Sequence, residues 1–255
     1  MKGLASGDRA SPPPHFEQAF TVRYSEVGPR GLLRTRTLLD YLQDAAARHA
    51  ALLGIGMEAL RDRNLTWVLS RLRLLVERYP GPEETVAVRT WPSAREGVSA
   101  FREFEVFDDA GSIVARARSL WVLLDTEKRR PVRFGADFPR YQLLERRALQ
   151  EDFTALTPPS APATVERFTV RREDLDVNRH VNNAVYVSWA LESVPSAYAD
   201  ARLPVDLEVA FRAEAFCGET VLARCAATAD GTRLSHQLER EGDGRELARL
   251  LTRWA

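Results

Sequence analysis

Residues 174–192, DLDVNRHVNNAVYVSWALE, join two unlike patterns. The first is a run of polar, chemically able side chains: Asp174, Asp176, Asn178, His180, Asn182 and Asn183. The second is apolar, with Tyr186, Trp189, Ala190 and Ser193 recurring at helical spacing, so the polar run leads into the start of a predicted helix. Unpaired backbone N–H groups and the positive end of the helix dipole favour a developing negative charge at such a place. The alternate residues Asp176, Asn178 and His180 can converge on one spot there. Asp and Asn ahead of a helix commonly serve as caps, but a cap needs one such residue and this run offers six. Asn182 and Asn183 are the simplest caps, and Asp174 either caps the loop or supports His180.

Working outward, the same neighbourhood occurs twice. Phe20-Thr21-Val22-Arg23 recurs as Phe168-Thr169-Val170-Arg171, an offset of 148 that also pairs Tyr41 with Trp189 and Asp44 with Glu192. Further on, Glu84-Thr85-Val86 matches Glu219-Thr220-Val221, and Ala115-Arg116 and Trp121 match Ala248-Arg249 and Trp254. The chain reads as a tandem repeat in which each copy runs strand, helix, then several strands. At the offset of 148, Asp176, Asn178 and His180 face Gly28, Arg30 and Leu32, so the chemical residues occur in one copy alone.

The elements divide the chain into a leader over 1–15, marked by Pro12 to Pro14 and read as disordered, a first unit over 16–134, a connection over 135–167 and a second unit over 168–255. In the first unit, Phe20 to Glu26 reads as a strand. A helix follows from about Thr37, with Leu38, Leu42, Ala45, His49 and Leu53 as its apolar stripe and Gly54 as its stop. His49 on that stripe is a packing or hydrogen-bonded core residue, since no carboxylate or nucleophile accompanies it. Val68, Leu72, Leu74 and Val76 alternate with Arg71, Arg73 and Glu77, and TVAVRTW, FREFEVF and SIVARARSLWVLLD continue as strands. This predicts an antiparallel sheet wrapped on the helix, with the alternating arginines left to solvent. The connection has room for a short helix in GADFPRYQLLERRALQEDF, and LTPPSAPATVER is a proline-rich surface link. His236 alternates with Leu234 and Leu238 and packs on the sheet.

Composition excludes other classes. With 255 residues, 45% of them hydrophobic, the chain can bury a full core. Lys plus Arg and Asp plus Glu are equal at 36, so no net basic charge argues for nucleic acid. No apolar run approaches the ~20 residues that span a bilayer. Cys217 and Cys225 have no CxxC pair and no histidine spaced to complete a zinc site, and they read as reduced core thiols. The N-terminus has no apolar segment of a secretory signal, which makes the cytoplasm the default location. No motif for a nucleotide, flavin or metal occurs, so no cofactor and no metal are expected.

DLDVNRHVNNAVYVSWALES closely resembles the active-site segment of acyl-acyl-carrier-protein thioesterases, enzymes of plant plastids and many bacteria. ERFTVRREDLDVNRHVNN, FRAEAFCGETV, TWVLSRLRLLVERYP and RTWPSAREGVSAFREFEVFD resemble that family's two halves in order, roughly from Phe20 to Trp254. The resemblance implies an α+β double hot-dog: two tandem repeats, each an antiparallel sheet wrapped around a helix, one chain imitating a dimer. It implies hydrolysis of a fatty acyl-acyl-carrier-protein to free acid and carrier, ending fatty-acid synthesis. Asp176, Asn178 and His180 match its Asp-x-Asn-x-His, and Glu214 in FRAEAF matches its strand glutamate.

Water would then attack the thioester. Glu214 or Asp176 would act as base, His180 would orient the water or relay the proton, and Asn178 would position the thioester or the base. Backbone N–H groups near Val181 and Asn182 would hold the oxyanion. The cysteine that follows the glutamate in plant members is Ala215 here, and Cys217 is displaced by two, on an extended strand that would turn it to the same face as Ala215. The first copy, free of chemistry, would shape an acyl pocket through its helix and long strand, with Leu42 and Leu72 as lining residues. Acidic acyl carrier protein is the implied partner, met by Arg171, Arg172 and Arg179 or by Arg129, Arg130 and Arg133. An acyl-CoA thioesterase on the same fold and a non-catalytic acyl-binding protein are the alternatives. A hot-dog dehydratase would want a Pro-Gly turn after its histidine, which HVNNAVY lacks. Assembly into a homodimer is left open.

Overall fold

The computed structural model describes residues 12–255. The first half contains β1 (Phe16–Thr21), α1 (Thr35–Leu52), α2 (Met57–Arg61), β2 (Leu65–Val76), β3 (Thr85–Glu96), β4 (Ser99–Phe107), β5 (Ile113–Asp125) and the short β6 (Arg130–Pro131). The second contains β7 (Thr164–Thr169), α3 (Asn183–Glu192), α4 (Ser196–Ala199), β8 (Pro204–Phe211), β9 (Thr220–Ala227), β10 (Leu234–Arg240) and β11 (Glu246–Trp254). All eleven strands form one antiparallel sheet in the order β1-β3-β4-β5-β2-β8-β11-β10-β9-β7, with β6 beside β5. The order reads the same from either end once β7, β8, β9, β10 and β11 are matched to β1, β2, β3, β4 and β5. The halves meet where Arg71–Leu75 of β2 pair with Asp206–Ala210 of β8. One core cluster holds the apolar faces of both α1 and α3, so the two halves share their interior.

Local chemistry explains the duplication. Leu38, Leu42, Ala45 and His49 of α1 are buried as their spacing requires, and Gly54 stops the helix in the left-handed region at φ 70°. The strand before each helix stacks an aromatic ring on it: Phe20 on Tyr41 at 4.2 Å and Phe168 on Trp189 at 5.7 Å. Near the end of each half a tryptophan indole donates to the hydroxyl two residues before it, Trp121 to Ser119 and Trp254 to Thr252, both at 2.9 Å.

Several expectations change. The strand read over Phe20–Glu26 is displaced: β1 ends at Thr21, and Tyr24–Glu26 form a 3₁₀ turn because the Glu26 carboxylate accepts the Arg23 N–H at 2.8 Å. Residues 135–163 hold neither the short helix nor any other regular element. This segment is tied across the outer face of the sheet instead. The Trp91 indole donates to the Arg146 carbonyl at 2.7 Å, and Glu103 and Glu208 accept the N–H groups of Ala148 at 3.1 Å and Thr154 at 2.9 Å. β7 begins at Thr164, inside the stretch read as connection. Beneath the strap, Arg71 pairs with Glu208 and Arg73 with Asp206, so these alternating arginines are partnered rather than left to solvent. Of the leader, residues 1–11 lie outside the described residues, and the Pro13 carbonyl is held by His49 Nε2 at 3.1 Å. Cys225 is buried, where burial pushes its thiol up to about 11, but Cys217 is exposed in the turn before β9 and is no core thiol.

Candidate active site

Both copies build the same loop between the strand and the helix. In each, an arginine N–H donates to an acid three residues on, Arg23 to Glu26 and Arg171 to Asp174, each at 2.8 Å. Asp174 is therefore a buried brace of the loop, and its carbonyl also accepts the Asn182 N–H at 2.9 Å. A second turn follows, closed by Gly28 N–H to Leu32 O in the first copy and Asp176 N–H to His180 O in the second, both at 2.8 Å. The left-handed position of that turn is Gly31 at φ 70° in one copy and Arg179 at φ 64° in the other. One backbone thus carries Gly28, Arg30 and Leu32 on one side of the molecule and Asp176, Asn178 and His180 on the other.

Within the second turn the side chains divide the work. Asp176 Oδ1 accepts the N–H groups of Asn178 at 2.8 Å and of His180 at 3.2 Å, an Asx-type closure that shapes the turn. That oxygen is committed to the backbone, so Asp176 shapes the turn. The carboxylate that meets the imidazole is Glu214, whose Oε1 lies 3.1 Å from His180 Nδ1. That contact turns Nδ1 toward the carboxylate and leaves Nε2 without a hydrogen-bond partner among the described residues. Both side chains are partly open to solvent, at 33% and 45%, so water reaches the pair. Phe216 meets the imidazole edge-on with ring centroids 5.2 Å apart.

Glu214 does not lie on a strand. β8 ends at Phe211, and residues 212–219 form a loop latched to the start of α3. Val181 N–H donates to the Ala215 carbonyl at 3.1 Å, the Ala215 N–H donates to the Tyr186 hydroxyl at 2.8 Å, and Arg240 Nη2 donates to the Glu214 carbonyl at 2.8 Å. Two consequences correct the sequence reading. The amides of Val181 and Asn182, expected as oxyanion donors, are already taken by Ala215 and Asp174. Ala215 is fully buried while Cys217 is exposed, so the strand alternation that would have put them on one face does not operate. Asn182 does cap α3, its Oδ1 accepting the Ala184 N–H at 2.9 Å.

Asn178 also lines a cavity of about 200 Å³ that lies within the first copy. Its wall comes from small residues of α1 (Ala46, Ala47, Ala50) and from Trp67, Trp121 and Tyr141. Leu42 and Leu72, the expected lining residues, are 1% and 5% exposed in the shared core and do not reach it. Alanines were uninformative in sequence because what they contribute is the space they leave. Gln43 joins cavity and loop, its Nε2 lying 3.4 Å from Asp40 Oδ1 and 3.5 Å from Asn182 Oδ1. Burial pushes the Asp40 carboxyl up to about 6 at the border of the site. Sequence reasoning missed Gln43, Asp40 and Arg240, and saw Tyr186 as a helix-face residue only. Arg171 is engaged by Glu173 at 2.7 Å and by Asp174, whereas Arg172 and Arg179 are exposed without an ion pair among the described residues. No cluster of metal-ligating side chains occurs among the described residues.

A paired set of strand-helix-sheet units joined edge to edge, with a histidine–glutamate pair beside a cavity in the opposite unit, defines a double hot-dog protein. Residues 13–140 match the acyl-ACP thioesterase N-terminal domain and residues 159–255 the C-terminal domain, and the chain belongs to that family. It is 32% identical over 263 residues to a chloroplastic palmitoyl-acyl carrier protein thioesterase of Gossypium hirsutum, covering 94% of this chain and 63% of the relative. A chloroplastic dodecanoyl-[acyl-carrier-protein] hydrolase of Umbellularia californica is 31% identical, covering 94% of this chain and 67% of its own length. The chain thus spans slightly less than two thirds of the length of the first of these relatives. Among solved structures, an acyl-ACP thioesterase from Bacteroides thetaiotaomicron superposes with a TM-score of 0.86 at 25% identity, over 95% of this chain and 98% of that one. The 12:0-ACP thioesterase from Umbellularia californica gives 0.82 at 27% identity, over 100% and 99%.

Proposed function

We propose that this chain hydrolyses fatty acyl-acyl-carrier-protein to free fatty acid and carrier protein, the step that ends fatty-acid synthesis. The observation that carries the reading is the His180 Nδ1–Glu214 Oε1 contact of 3.1 Å, next to a turn whose Asn178 lines an acyl-sized cavity. Water held by His180 Nε2 attacks the thioester carbonyl carbon as its proton passes to the imidazole, and Glu214 stabilises the imidazolium so formed. The carbonyl oxygen gains the negative charge, and the side-chain amide of Asn178 donates to it. Collapse of the intermediate breaks the carbon–sulfur bond, and the thiolate leaves with the proton from His180. No side chain becomes acylated in this scheme, and Ala215 offers no nucleophile.

The acyl carrier protein is favoured over CoA as the carrier because the relatives cited above act on acyl carrier protein by name. The exposed Arg172 and Arg179, without an ion pair among the described residues, flank the site and suit an acidic partner. The experiment is a comparison of kcat/KM for one acyl chain presented on carrier protein and on CoA, across a range of salt. A rate that is higher on carrier protein and falls more steeply with salt supports the reading. Equal rates and equal salt slopes refute the choice of carrier, and absence of hydrolysis of either refutes the activity.

A further inference from the structure

An attacking water has two hydrogens, and His180 receives one of them. Until the second O–H is held as well, the water turns about the first bond, and the lone pair that must face the carbonyl carbon is not aimed. In the second copy, Asp176 Oδ1 is taken up by two backbone N–H groups and Glu214 Oε1 by the imidazole. The first copy offers a further acceptor.

Gln43 of α1 lines the cavity together with Asn178. Its amide has a fixed sense. Nε2 lies 3.4 Å from Asp40 Oδ1 and 3.5 Å from Asn182 Oδ1. Both neighbours are oxygens: Asp40 is a carboxylate, and Asn182 Oδ1 is identified by the Ala184 N–H that it accepts at 2.9 Å. A carboxamide oxygen on that side would meet two acceptors, so the nitrogen belongs there. Oε1 is then the end of the amide turned away from them, and it has no hydrogen-bond partner among the described residues. Asn178 and Asn182 stand on either side of His180 in the sequence, and Gln43 shares the cavity wall with the first and touches the second, which sets it against the turn that carries the imidazole. Other polar groups of the wall are engaged elsewhere. Arg102 Nη1 donates to His49 Nδ1 at 3.1 Å and Thr90 Oγ1 at 3.2 Å, and His49 lies about 9 Å beyond Gln43 along the α1 axis. The Trp121 indole donates to Ser119 at 2.9 Å.

We propose that Gln43, supplied by the copy that lacks the histidine, is a further catalytic residue: its Oε1 accepts the second hydrogen of the attacking water while His180 Nε2 accepts the first, and Asp40 is the positioning residue that turns the amide. The inference rests on the thioesterase reading for its reaction. As the water oxygen bonds to the carbonyl carbon, one proton passes to His180. The other stays on that oxygen, hydrogen-bonded to Gln43, and leaves as the hydroxyl hydrogen of the product acid. The carbon–sulfur bond breaks, and the thiolate departs with the proton from His180. Gln43 neither gains nor loses a proton, so its contribution is orientation. The centre is then made by both copies, the turn of one and the helix of the other.

The test offers the enzyme a choice of nucleophile. The full chain turns over an acyl-carrier-protein thioester in the presence of hydroxylamine, and the enzyme-dependent yields of acid and of hydroxamate are both measured. Hydroxylamine attacks through nitrogen and is the stronger nucleophile by nature, so it depends less on being held. Gln43→Met keeps the length of the side chain and removes the acceptor. It should lower kcat for hydrolysis by about tenfold to a hundredfold with KM within about twofold, and raise the ratio of hydroxamate to acid at least about fivefold. Asp40→Ala leaves Gln43 in place without the partner that turns it and should raise the ratio by a smaller factor; it decides the matter where Gln43→Met fails to fold. A purely structural role lowers both products together, so an unchanged ratio overturns the proposal even where kcat falls, and so does a Gln43→Met variant with the wild-type kcat. The two readings fail differently. Wild-type protein that forms no acid from the thioester removes the activity and the role of Gln43 with it, whereas wild-type hydrolysis with unchanged ratios in the variants removes the role of Gln43 alone.

Discussion

Tyr186→Phe isolates the latch between α3 and the loop that carries Glu214. The ring itself is retained, and with it the packing against Trp189 at 5.8 Å and Phe211 at 6.1 Å, so no cavity opens. What disappears is the acceptor for the Ala215 N–H, at 2.8 Å in a fully buried position. A buried donor left without a partner costs about 1–3 kcal/mol. The loop stays tethered through Val181 N–H to Ala215 and Arg240 to Glu214, so it shifts rather than unfolds. If the whole loss falls on the alignment of Glu214 with His180, kcat declines by roughly fivefold to 150-fold, with KM little changed. Urea unfolding of the variant measures the stability term, and steady-state hydrolysis of an acyl-carrier-protein thioester measures the catalytic one. A variant destabilised by the expected amount that keeps full kcat would show that the latch supports the fold and does not place Glu214.

Three further outcomes follow from the geometry. Ala50→Phe or Ala47→Leu fills the cavity of about 200 Å³ from the α1 side and should shift preference toward shorter acyl chains, whereas Leu42→Met should leave it unchanged, as a turnover panel over chain length would show. His49 and His236 are both fully buried, and burial holds each at about 4, below the ordinary value of 6.5. The unfolded chain therefore binds more protons than the native one between those values, and stability should fall as pH drops from about 6.5 to 4, by up to about 3 kcal/mol per histidine. His236→Gln should flatten that slope by about one proton, and an unaltered slope in denaturation across pH would contradict the assignment. Cys217→Ser should retain most activity, because the thiol is exposed in a turn; loss of turnover without loss of fold would reinstate a thiol mechanism.

The duplication and the one-sided site were legible because both are local. A polar run entering a helix, a stripe ended by Gly54 and the matched Phe20 and Phe168 leave marks within a few residues of one another. The pairing of β2 with β8 left none: Glu208 and Asp206 have their partners in Arg71 and Arg73, more than 130 residues earlier in the chain. The connection over 135–163 looked free for the same reason, since its partners Glu103, Trp91 and Glu208 are remote in sequence. Val181 and Asn182 were credible anion donors by position, but a neighbouring loop already occupies their amides. Leu42 and Leu72 lie on the right elements but face the shared core, and the lining falls to Ala46, Ala47, Ala50 and Trp67 instead. Arg102 in FREFEVF reads as one more exposed arginine, and only the register of β4 turns it inward.

The account stands most directly on one measurement: single-turnover hydrolysis of a purified acyl-carrier-protein thioester by the wild-type chain and by Glu214→Ala, with the quenched protein weighed by mass spectrometry. It predicts hydrolysis by the wild type, a loss of about 10²–10⁴ in rate for the variant, and no acylated protein at any time point. A variant as fast as the wild type, or an acyl group found covalently on the chain, would contradict it.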